Sequence, residues 1–117
     1  MESKLRDALE LVRNGEMCKE VLRGDNGSHC SLGFLLAAHG FELHTHDDEA
    51  YMADTLILGQ VLGELFPERT GDLAPWNATD ELIGIGITAA VNNHPDTVKE
   101  DLIVAFGKAA IKAEEII

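Results

Sequence analysis

Imidazole, thiol and carboxylate groups gather in three stretches of this 117-residue chain. His39, His44, His46, Asp47, Asp48 and Glu49 form its densest run of metal-capable side chains, and imidazole with carboxylate suits zinc or manganese. His44 and His46 are two apart, so they share a face only in extended chain, while the carboxylates have a simpler reading as the opening of a helix. Cys30 follows His29, the pairing that would lower a thiol pKa and make a nucleophile. In a strand, however, adjacent residues point to opposite faces, so Cys30 reads as a small core residue instead. A third cluster, Asn92, Asn93, His94 and Asp96 around Pro95, reads as a helix end and turn. Gly84-x-Gly86-x-x-Ala89 matches a degenerate dinucleotide fingerprint, but no apolar strand precedes it and no βαβ unit can follow. The expectation is no catalytic residue, no metal and no cofactor.

Charge carries more information than any of these motifs. Between residues 41 and 98 stand eleven carboxylates and one base, Arg69, and the whole chain has a formal net charge of −12. Such a surface disfavours direct contact with nucleic acid or anionic membrane and favours a basic protein surface. Asp47, Asp48, Glu49, Glu68 and Asp72 are the acids expected to meet it, with Trp76 as an aromatic anchor. The leading expectation is therefore a small acidic, non-catalytic accessory protein that binds another protein. Imitation of nucleic acid, with carboxylates standing in for phosphates, is the alternative. An enzyme using His44, His46 and Asp47, or Cys30, is the third.

The apolar pattern predicts the elements that would hold these residues. Leu5, Ala8, Leu9 and Val12 recur at i, i+3, i+4, i+7, giving an amphipathic helix over residues 3–14 stopped by Gly15. Residues 18–30, with Asp25, Asn26 and Gly27 at the reversal, predict a short β-hairpin in which Leu22 faces Cys30. The run 32–39 predicts a buried helix ended by Gly40. Thr45 and Asp48 resemble a capping box for a central helix reaching residue 66. On it, Ala53, Ile57, Val61 and Leu65 form one apolar ridge and Leu58, Leu62 and Phe66 another, with Gly59 and Gly63 placed to admit a second backbone. Residues 68–77 predict a loop, and residues 80–93 read as helix or strand. Thr97 and Glu100 predict a capping box for a closing helix bearing Val98, Leu102, Ala105, Phe106 and Ala109. The expected fold is mainly α, a four- or five-helix single domain over residues 1–117 with a short hairpin.

No run of about 18 apolar residues and no signal pattern is visible, so a cytoplasmic location with reduced Cys18 and Cys30 is expected. Apolar helix ridges leave the oligomeric state open.

Gly27, Cys30 and Gly33, the stretches 35–38 and 53–65, Ala90-Val91-Asn92-Asn93 and the stretch 97–109 resemble a family of small uncharacterised proteins from actinobacteria and their phages. That family has an N-terminal helix, a Gly-x-x-Cys-x-x-Gly hairpin and helix, and an Asn-Asp turn before a Thr-capped helix. Its Trp-Asn-Asp is Val91-Asn92-Asn93 here, and Glu16-Met17 replaces its glycine-aromatic start. The resemblance implies no activity. It implies a setting, an actinobacterial cytoplasm, reached from a phage genome if the protein is phage-encoded.

Overall fold

The computed structural model describes residues 3–19, 21, 24–41, 47–71 and 81–116. Among these residues lie five α-helices: α1 (Leu5–Asn14), α2 (Ser31–His39), α3 (Glu49–Leu65), α4 (Glu81–Asn93) and α5 (Lys99–Ile116). A single 3-10 turn, Pro67–Arg69, follows α3, because Pro67 cannot extend the hydrogen-bond ladder. The core helix is α3, which packs against α4, α5 and α2, while α1 lies on α5 and α2.

The predicted stripe of α1 is buried at all four positions, Leu5, Ala8, Leu9 and Val12. The end of α2 is a Schellman motif. Gly40 takes φ +83°, its N–H donates to the Ala37 carbonyl and the Phe41 N–H donates to the Leu36 carbonyl. At the start of α3, Asp48 is itself the N-cap, its Oδ1 accepting from the Tyr51 N–H at 2.8 Å. Thr45, the other half of the expected capping box, lies outside the described residues. The box before α5 is shifted by one residue: Asp101, not Glu100, reaches back to accept from the Val98 N–H at 3.1 Å.

Residues 81–93 are helix, and Gly84 serves packing. A Cβ built on Gly59 would stand 2.6 Å from the Gly84 Cα and carbonyl oxygen, and one on Gly84 would stand 2.9 Å from the Leu56 Cα. Backbone therefore meets backbone where α3 crosses α4, which is the close approach expected at Gly59. It also disposes of the dinucleotide reading, since Gly84 and Gly86 lie within a helix rather than between strand and helix.

The hairpin expectation is corrected. Among the described residues the stretch 18–30 forms no antiparallel ladder. Met17 and His29 make one isolated bridge, and it is parallel. The Cys18 N–H donates to the His29 carbonyl at 2.9 Å and the His29 N–H to the Glu16 carbonyl at 3.0 Å. The tight reversal itself is present. Gly27 has φ +82°, and the Gly24 N–H donates to the Ser28 carbonyl at 2.8 Å. Asn92 on α4 holds both flanks of the stretch: the Cys18 carbonyl accepts from its Nδ2 at 3.1 Å, and the Ser31 N–H donates to its Oδ1 at 2.9 Å. Leu22, expected opposite Cys30, lies outside the described residues.

Candidate functional site

The expected contact acids occupy the two ends of α3. Asp47 and Glu49 are exposed beside the half-buried cap Asp48, and Glu68 is exposed in the 3-10 turn beyond the other end. Seventeen residues of helix separate these groups, about 25 Å at the usual rise. Asp72 and Trp76, the other members of the expected contact set, lie outside the described residues. So do His44 and His46.

Arg69, the one base of the acidic stretch, is turned inward. Its guanidinium donates to Thr97 Oγ1 at 3.2 Å and to Asp101 Oδ2 at 3.1 Å, lies 4.5 Å from the Phe66 ring centre, and reaches Glu68 at 3.5 Å. It ties the 3-10 turn to the start of α5 while also pairing with the exposed Glu68.

Two polar centres sit inside the fold. In the first, His39 Nε2 lies 2.8 Å from Asp54 Oδ2, with side chains 5% and 2% exposed. The same carboxylate oxygen accepts from the Lys4 N–H at 2.9 Å, just ahead of α1. Phe41 stacks on the imidazole and Tyr51 meets it edge-on. Burial pushes the Tyr51 phenol above its ordinary range, so the hydroxyl stays protonated. Asp54 thus fastens α1, the end of α2 and α3 in one desolvated contact.

The sequence contains a signal for this pair. The ridge Leu58, Leu62, Phe66, stepped back by one turn, falls on Asp54, and an acid at a core position requires a partner. His39, a member of the loose metal-capable cluster in the sequence, pairs with Asp54.

In the second centre, Asn92 Oδ1 accepts from both the N–H and the hydroxyl of Ser31, at 2.9 and 2.6 Å, while its Nδ2 donates to the Cys18 carbonyl and to Asn93 Oδ1. Its amide is fully engaged in joining α4 to α2 and to the Cys18 segment. Beside it, a cleft of about 100 Å³ is lined by Cys30, Thr88 and Asn93 among others. Cys30 is the N-cap of α2, its Sγ accepting from the Gly33 N–H at 3.3 Å. A helix N-terminus ordinarily lowers a thiol pKa, but here burial outweighs that donor and raises it. The thiol is therefore a poor nucleophile at neutral pH. His29 packs its ring on Phe34. Cys30 is buried as expected, though as a helix cap rather than beneath a hairpin. Both cysteines are free.

Among the described residues, no buried side-chain nitrogen or oxygen lacks a partner, no group of three or more His, Cys, Asp and Glu could hold a metal ion, and no helix is long and apolar enough to cross a membrane. No family model, no curated protein and no solved structure matches the chain.

Proposed function

We propose that this protein is a non-catalytic accessory factor that binds a protein through its acidic surface, the partner presenting a basic face. The observation that carries the reading is how the charges are distributed. Nine basic residues stand against twenty-one acids, and at least five of the bases are engaged within the chain. Arg6 pairs with Glu114, Arg13 with Glu10, Lys4 with Asp7 and Arg69 with Asp101, while Lys19 donates to the His94 carbonyl. Asp25, Asp47, Glu49, Glu68, Asp96 and Glu100 all face solvent. An excess of this kind steers oppositely charged proteins and repels phosphate backbones.

The contact set is Asp47, Asp48, Glu49 and Glu68, joined by Asp72 and Trp76 of the stretch 72–80. Direct nucleic-acid and membrane contact form no part of the reading. The setting, a cytoplasm and specifically a host cytoplasm if the protein is phage-encoded, rests on the sequence resemblance alone.

The test is affinity capture from a mycobacterial lysate with wild type and with Asp47→Lys/Glu49→Lys, followed by mass spectrometry. Asp48 is left intact because it caps α3, and its loss would confuse unfolding with lost recognition. A specific partner should be retained by wild type, released by moderate salt and lost by the variant. Capture that ignores both salt and the reversed charges would overturn the reading. Displacement of the captured partner by duplex DNA would instead favour imitation of nucleic acid.

A further inference from the structure

An open groove of about 500 Å³ runs between the C-terminal half of α3 and α5. Its apolar lining comes from Val61, Leu65 and Ile111, and Ile111 is 53% exposed. Its charged lining is Glu64 and Glu115 against Lys108 and Lys112. In a chain of net charge −12, this patch is formally neutral. Among the described residues none of these four charges closes an ion pair within 4.0 Å, although the next residue along, Glu114, is held by Arg6 at 2.7 Å. Lys108 and Lys112 stand one helical turn apart, where like charges repel and an acid beyond Glu64 and Glu115 of the same chain would offset them further.

The spacing on α5 says what kind of surface supplies that acid. Val104, Lys108, Ile111 and Glu115 are all exposed, and at i, i+4, i+7 and i+11 they fall in one stripe about 60° wide. We propose that this groove is the seam of a two-fold dimer, its occupant a second copy of the chain. With a two-fold axis between Ile111 and Lys112, the two α5 helices run antiparallel, and residues equally distant from the axis stand at one level. Lys108 of each copy then faces the partner's Glu115, about 5 Å along the helix on either side of the axis. Ile111 of each copy enters the apolar floor provided by Val61 and Leu65 of the other. A patch that is positive at one point and negative one heptad later complements itself under this operation, as an isologous contact requires. Being neutral, it lets two acidic bodies touch without a local excess of like charge.

Sedimentation equilibrium over a concentration series tests it. Wild type should show a reversible monomer–dimer equilibrium and Ile111→Asp a monomer. Lys108→Glu replaces both cross-pairs by repulsion and should weaken association about tenfold or more. The double variant Lys108→Glu/Glu115→Lys restores opposite charges across the axis and should recover the dimer. This recovery is a readout that general destabilisation cannot produce. Helical circular dichroism of each variant confirms folding. A wild type that stays monomeric at its highest attainable concentration, a dimer indifferent to Ile111→Asp, or a double variant no better than Lys108→Glu would each overturn the proposal. The groove lies away from Asp47 and Glu49, so the dimer and the acidic-surface reading fail independently.

Discussion

At the N-terminal end of α3, Asp48 and Asp54 are each held by donors of their own chain, whereas toward its C-terminal end Glu64 shares a groove with Lys108 and Lys112 and, among the described residues, closes no ion pair. The difference follows from solvent. Asp54 is 2% exposed, so its charge must find a partner as the helices assemble, and three elements converge to provide it. Glu64 is exposed, and water solvates it adequately. One end of the helix therefore uses charge to define the fold. The other leaves its charge to solvent.

Five substitutions test that contrast. Asp54→Ala should be the most damaging, about 3–5 kcal/mol, because it strands the His39 imidazole and the Lys4 N–H in a desolvated contact; chemical denaturation measures it, and a loss near zero would mean the pair is ornamental. Gly59→Ala should cost about 1–3 kcal/mol, since the new methyl group meets the Gly84 backbone, which cannot swing aside. Gly107→Ala makes the informative partner experiment: its added Cβ would meet only Leu9, at 4.0 Å, so the better helix former should raise stability by about 0.5–1 kcal/mol. Opposite signs for these two glycines would show that the α3–α4 crossing, not helix propensity, governs the first. Asp48→Ala removes the cap of α3 and should cost about 1 kcal/mol, visible as a lowered melting temperature. Smallest of all, Glu64→Gln should leave the stability of dilute protein within about 0.5 kcal/mol of wild type, and a larger loss would place that carboxylate among the structural ones.

The local elements were legible because their signals are local. Leu5, Ala8, Leu9 and Val12 repeat at helical spacing, Gly40 supplies the left-handed residue that ends α2, and the acids before Tyr51 contain the cap of α3. Even the close approach at Gly59 was readable as a vacancy on a helix, although nothing in the sequence named Gly84 as the backbone that fills it. Where the sequence reading and the structure part, groups remote in the chain are involved. The Asn-Gly reversal near Gly27 is real, yet the hairpin it would begin is absent among the described residues, and Asn92, 74 positions from Cys18, binds that residue's carbonyl. Likewise His39 clusters in sequence with metal-capable neighbours, while its partner, Asp54, comes from the second turn of the next helix.

Residue order alone determined the mainly helical character, both bounds of α1 and α2 and the end of α3 to within two residues, and the one-sided charge, since each depends on side chains a turn or less apart or on simple addition. Tertiary structure decided which acid is buried and which is left to solvent, which glycine meets which backbone, and that Cys30 caps a helix with its thiol kept protonated. Those outcomes depend on desolvation and on hydrogen-bond partners brought together from remote parts of the chain, and a linear pattern records neither.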